Sequence, residues 1–345
     1  MRGYDNYRGR TSPKYKIAVV VMLVILLLAG LYLAVSEFAE YDSEGNMHFI
    51  LPWSGETEEP PAPPQDETET ETREEPEKPS VNVVFDAPED PLNGRVQATE
   101  FTVTQLRQGN DGILQRLGDG NVAAVWLKRP DGLLRYRSAA AGAGLCYTDG
   151  LTEAELRAFT SGDFYTVARL SCVKDNAASM KDMTALGLTQ ENGYIWYGTE
   201  SQHYLDISKS GAADYLLSLI RELADLGFDE ILLSDLTYPT DGRQDTVYTT
   251  NDRSGAVTDF LKKAKEALKE TDTSLSVELT EETVLSGGNA AEGVELEAVL
   301  PLCARLYVKS DRAEELRAAV EKGKARPTLV FIGETQENRY TEAEK

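Results

Sequence analysis

The chain has 345 residues with 58 acidic against 35 basic side chains, a formal net charge of −23. So acidic a chain repels polyanions, which argues against nucleic acid as a partner. Three cysteines (Cys146, Cys172, Cys303) do not make a disulfide framework, and the two histidines, without any CxxC, HExxH or EF-hand pattern, call for neither metal nor cofactor.

Residues 1–16 form a basic tail with Arg2, Arg8, Arg10, Lys14 and Lys16. Residues 17–35, Ile-Ala-Val-Val-Val-Met-Leu-Val-Ile-Leu-Leu-Leu-Ala-Gly-Leu-Tyr-Leu-Ala-Val, carry no charge and match the roughly 20 apolar residues that span a bilayer as a helix. Glu37, Glu40, Asp42 and Glu44 follow, so the positive-inside rule places the N-terminus in the cytoplasm and the remainder outside, as a single-pass protein of the cell membrane. A cleaved signal peptide is the competing reading, since Ala34-Val35-Ser36 has a small-x-small form. Its apolar core exceeds the usual length of about 7–15 residues, which favours the anchor.

Residues 36–80 are a juxtamembrane segment followed, from Ser54 to Pro79, by a Glu/Pro/Thr-rich stretch with no aliphatic residue larger than alanine. Such a stretch cannot bury enough surface to fold, and like charges and prolines extend it into a disordered stalk.

Residues 81–345 have globular composition. Strands are expected at Arg95–Phe101, Val122–Lys128, Phe164–Val173, Glu230–Tyr238, Ser274–Leu279, Ala304–Val308 and Pro327–Ile332. Helical spacing joins Ala212, Leu216, Leu219, Ile220, Leu223 and Leu226, closed by Gly227, and again Val257, Phe260, Leu261, Ala264 and Leu268. Thr152-x-x-Glu155 and Asp311-x-x-Glu314 have capping-box spacing. Strand–helix alternation over this length predicts an α/β fold, a (β/α)8 TIM-like barrel ahead of an open doubly wound sheet. No Gly-rich phosphate loop follows any strand, which weighs against nucleotide binding.

Barrel chemistry comes from the C-terminal ends of strands. That rule selects Asp235 toward the end of Glu230–Tyr238, Glu278 in Ser274–Leu279, Asp175 and Lys174 after Phe164–Val173 with Arg169 inside it, and Trp126 and Lys128 at the end of Val122–Lys128. Paired carboxylates on neighbouring strands, such as Asp235 and Glu278, suit glycosidic cleavage, in which one protonates the leaving oxygen and the other attacks or activates water.

Six segments in order resemble a bacterial "putative glycoside hydrolase" family of TIM barrels distantly related to α-amylase-type enzymes. They are Asn121–Ser138, Tyr165–Asp175, Leu226–Pro239, Phe260–Leu268, Ser274–Glu278 and Ala325–Leu329. The family's second strand typically reads Val-Ile-Asp-Val-Lys-Asp; here Trp126 and Arg129 replace the two acids and Lys128 is kept. Its central strand reads Glu-Ile-Gln-Phe-Asp-Tyr-x-Arg-Phe-Pro; here Ser234 falls at the acid, Thr237 at the Arg, and Asp235 is displaced by one residue. A one-residue step on a strand reverses the face, so Asp235 serves only if a bulge or strand end redirects it. Arg169, Lys174, Asp175, Tyr238, Pro239 and Glu278 match the family pattern.

The resemblance implies an extracytoplasmic glycosidase using Glu278 with Asp235 or Asp175, with Arg169, Lys174, Trp126, Lys128, Trp196 and Tyr238 on the substrate. The alternative is a barrel that has lost catalysis and binds glycan or protein, with Trp126, Trp196, Tyr197 and Tyr238 as aromatic faces, or serves as a scaffold in a membrane complex. The chain stops soon after the seventh strand, so the barrel is expected either to be incomplete or to be closed by Val81–Phe85.

Overall fold

The structure, a computed structural model, describes residues 91–333 and 336–343, together with two short strands nearer the N-terminus. The chain divides into two units, 1–83 and 84–345. In the first, Ala39–Tyr41 pairs antiparallel with Met47–Phe49. The membrane helix expected at 17–35, the stalk at 54–79 and the segment Val81–Phe85 lie outside the described residues. Among the described residues, no helix is long and apolar enough to cross a membrane.

The second unit is built on eight parallel strands: β1 (Gln97–Phe101), β2 (Val122–Lys128), β3 (Tyr165–Ser171), β4 (Glu230–Ser234), β5 (Ser274–Leu279), β6 (Arg305–Val308), β7 (Thr328–Ile332) and β8 (Arg339–Glu342). Each pairs in parallel with its successor, and β8 pairs with β1, closing the barrel. Seven strands fall where the apolar runs predict them. The expectation of an incomplete barrel is corrected: the eighth strand is Arg339–Glu342, beyond the seventh. Parallel neighbours ordinarily need a crossover of a dozen or more residues, and here only 333–338 intervene. Stagger makes this sufficient. Arg339 pairs with Phe331 and Tyr340 with Ile332, so β8 starts beside the end of β7 and the connection need not traverse the barrel's height. Asn338 ties the junction, accepting from Val96 N at 3.0 Å and donating to Leu329 O at 3.3 Å.

Helices α1 (Asn110–Leu117), α2 (Glu153–Thr160), α3 (Ser210–Asp225), α4 (Arg253–Ala267) and α5 (Ala313–Glu321) separate the strands. All six apolar residues of the α3 face, Ala212 to Leu226, are buried, and each buried Leu or Ile stabilises by roughly 1.5–3 kcal/mol relative to exposure. Gly227, at φ +92°, ends that helix in the left-handed conformation glycine adopts without penalty. Thr152 and Glu155 form the expected capping box on α2. The expected cap at Asp311 is corrected: α5 begins at Ala313 with Arg312 in the N-cap position and no side-chain cap bond, so the acid spacing falls one residue out of phase.

The period-two alternation of the strands separates two cores. Ala98, Val122, Ala124, Val167, Leu232, Tyr307, Val330 and Tyr340 fill the barrel interior, while Ala123, Val125, Leu127, Ile231, Leu233 and Val277 belong to the larger layer shared with the helices. The N-terminal part of the interior is sealed by Arg305, whose Nη1 donates to Glu230 Oε2 at 2.7 Å and to Tyr165 OH at 3.1 Å, while Tyr307 OH donates to Glu230 Oε1 at 3.0 Å.

Candidate active site

Inward positions near the C-terminal end of the barrel present Glu100 (β1), Trp126 (β2), Arg169 and Ser171 (β3), Ser234 (β4), Glu278 (β5) and Tyr340 (β8), while a register shift after Trp126 sets Lys128 opposite the outward Leu170. Arg169 sits at their centre. Its Nη1 lies 3.2 Å from Glu100 Oε2, its Nη2 lies 2.7 Å from Glu278 Oε2, and its guanidinium stacks 4.0 Å from the Trp126 ring centroid. The cation thus bridges strands on opposite sides of the barrel, and Tyr340 OH donates to the same Glu100 oxygen. Burial pushes the Glu278 carboxyl above its usual range; Arg169 pulls it down, and the negative charges of Asp235 and Glu100 add to the upward push. Glu278 is nevertheless 22% exposed, so it reaches the mouth.

Asp235 joins Glu278 there by a backbone device. Strand β4 stops at Ser234 rather than running to Tyr238, and Asp235 adopts φ +48°, a left-handed conformation uncommon outside Gly, Asn and Asp. The peptide around it is held by Cys172 N donating to Ser234 O at 2.7 Å and Val173 N donating to Asp235 O at 2.9 Å. Its carboxylate accepts from Ser171 Oγ at 2.8 Å and pairs with Lys174 Nζ at 2.9 Å. The strand end therefore supplies the redirection that the sequence pattern alone left open. Ser234 donates to Leu170 O at 3.2 Å.

Asp175 lies elsewhere. It is fully buried, caps the helix Asn176–Lys181 through Ala178 N at 2.7 Å, and pairs with the equally buried Lys128 at 2.9 Å. Lys128 also donates to the carbonyls of Ser171 (2.6 Å) and Cys172 (3.3 Å), so the pair props the backbone beneath the mouth. Gly132 packs against it at φ +81°, where an added Cβ would fall 1.9 Å from Asp175 Oδ1. Trp196 and Tyr238 are buried as well: the indole donates to Arg243 O at 3.1 Å, and the phenol donates to Asp206 at 3.1 Å. Tyr197 is exposed and sets its ring edge-on to His203. Trp126 lies under two guanidinium groups, Arg169 and, at 5.0 Å, Arg129.

The structure therefore brings together Glu278, Asp235, Arg169, Lys174 and Trp126, and sets Asp175, Lys128, Trp196 and Tyr238 into the packing around them. Glu100 and Tyr340 escaped the sequence reading. Glu100 is the one acid within β1 and was open to the strand-end rule; Tyr340 belongs to the strand that was not foreseen. Among the described residues no cluster of acids, histidines and cysteines could hold a metal ion.

A closed (β/α)8 barrel with two carboxylates and an arginine at its C-terminal mouth defines a glycoside-hydrolase-like architecture. The chain belongs to the family described as "Putative glycosyl hydrolase domain", whose profile matches residues 106–293, starting after β1 and running past β5. No curated protein matches it in sequence. Among solved structures it is similar to the PgaB (BpsB) glycoside hydrolase domain from Bordetella bronchiseptica, at 12% identity over 72% of this chain and 94% of that one, with a TM-score of 0.53. A hypothetical protein from Ruminiclostridium thermocellum is similar at 23% identity over 52% of this chain and 96% of that one, TM-score 0.43. The GH20 exo β-N-acetylglucosaminidase from Vibrio harveyi gives 12% identity over 69% of this chain but 41% of that one, TM-score 0.48, so this chain spans under half of that enzyme's length.

Proposed function

We propose that the protein is a membrane-anchored glycoside hydrolase acting outside the cytoplasm on cell-envelope polysaccharide. Glu278 protonates the leaving glycosidic oxygen, and Asp235, paired with Lys174, serves as nucleophile or as the base that activates water. Arg169 fixes the Glu278 carboxyl, and Trp126 forms part of the wall beside it. The carrying observation is the left-handed turn at Asp235, which delivers a second carboxylate to a mouth where Glu278 is already pushed toward its protonated form. Environments that treat two carboxyls differently separate the acid role from the base role.

Anchoring rests on the uncharged run 17–35 and its flanking charges. Protease added to intact cells removes the barrel by cutting within Ser54–Pro79; a barrel that survives such treatment overturns this orientation. A second reading is favoured by Ser234, which leaves the family's acid position on β4 without a carboxylate: the mouth then binds glycan without cleaving it. One experiment separates the two. The full chain is assayed against a panel of envelope polysaccharides beside Glu278→Gln and Asp235→Asn. Cleavage lost in either variant supports the hydrolase; binding retained by all three with no cleavage supports the binding module.

A further inference from the structure

We propose that Glu100, steadied by Tyr340, is a positioning residue that takes a share of the Arg169 guanidinium and so leaves the proton on Glu278, the form a proton donor requires. The inference rests on the acid role given to Glu278 above. One cation stands between two carboxyls from opposite sides of the barrel, at 3.2 Å from Glu100 and 2.7 Å from Glu278. A single positive charge in a partly desolvated interior does not neutralise two anions, and like charges at such a site favour protonation of one of them.

The geometry decides which. Among the described residues, Glu100 accepts from both Arg169 and Tyr340, whereas Glu278 accepts from Arg169. Tyr340 stays a phenol and hence a donor, because burial, with Glu100 beside it, drives its ionisation well above the ordinary range. With two donors on Glu100 and one on Glu278, the proton is held at Glu278, which at 22% exposure against 6% for Glu100 is the carboxyl that faces the mouth. The other charged or titratable groups around Glu278 are Asp235 at the end of β4, Lys174 beyond it, and Tyr307, its register partner on β6, whose hydroxyl is committed to Glu230.

The test is a carbon-13 carboxyl titration of the full chain labelled at glutamate, with the Glu278 signal assigned by its absence in Glu278→Gln. Glu100→Gln keeps the shape and removes the charge, and lowers the Glu278 midpoint. Glu100→Asp keeps the charge and keeps the midpoint raised. If Glu100→Gln does not fold, Tyr340→Phe serves: it takes one of the two donors from Glu100, makes that carboxyl a better competitor for the proton and lowers the Glu278 midpoint. A midpoint unmoved or raised in either variant overturns the proposal. A midpoint that falls as expected in a chain that cleaves no glycan upholds the positioning role and removes the hydrolase reading. Cleavage with an unmoved midpoint does the reverse.

Discussion

Lys128 and Asp175 meet at 2.9 Å with neither side chain exposed to solvent, although 47 positions separate them in the chain. Removing one member of such a pair strands a buried charge and costs about 3–5 kcal/mol. Asp175→Ala or Lys128→Met is therefore expected to lower the thermal midpoint strongly. If Asp175→Ala instead left stability intact and abolished cleavage, the carboxylate would belong to the chemistry. The readouts are calorimetry beside the polysaccharide assay.

Gly132→Ala tests the same strut from the other side. The new methyl would collide with Asp175 Oδ1, and the positive φ is strained for alanine; left-handed strain alone costs on the order of 1 kcal/mol. The substitution is expected to destabilise by more than that strain, because the carboxylate must move off Lys128. A denaturant midpoint unchanged from the parent would contradict the packing described.

The raised Glu278 carboxyl fixes the sign of two pH effects. In the donor role proposed for it, Glu278 works below its folded midpoint, so cleavage is expected to decline as pH rises through that midpoint. Stability runs the same way: the folded state holds the proton more tightly than the unfolded chain, so its contribution is full below the unfolded midpoint and is lost as pH rises through the folded one. Glu278→Gln is expected to gain thermal stability relative to the parent at neutral pH and not at acid pH, while losing roughly 10²–10⁴-fold in rate. Paired melting curves at pH 4 and pH 7 decide it.

Tyr238→Phe separates packing from binding. The phenol donates to Asp206, itself buried and also served by Thr249 at 3.0 Å. Loss of one donor to a buried acid costs about 1–3 kcal/mol. Glycan affinity is expected to stay at the parent level, as read by isothermal calorimetry, because the ring does not face the mouth.

The seven apolar strand runs carried most of the barrel in the sequence, because a strand buried on both faces is nearly continuous in hydrophobic residues. Strand β8 did not, since Arg-Tyr-Thr-Glu holds one apolar side chain and closes the sheet through backbone bonds and stagger. The acid pair was half legible. Glu278 follows from strand alternation, but the turn that recruits Asp235 is a backbone conformation that residue type permits and does not announce. The burial of Asp175 was hidden because its partner Lys128 comes from another strand, and long-range charge pairing has no signature in local spacing.

Closure by β8 sets the order in which the protein becomes itself during synthesis. The bond from Val96 to Asn338 joins residues 242 apart, and β8, which follows Asn338, leaves the ribosome after the seven strands that precede it in the chain. Until then β1 and β7 present open edges, and contacts so distant in sequence form slowly. Glu100 and Tyr340 lie on the two sides of that seam, so the Arg169 network is completed in the same event that closes the barrel. A chain cut before Asn338 would lose little hydrophobic core, yet it would be both adhesive and without a finished site.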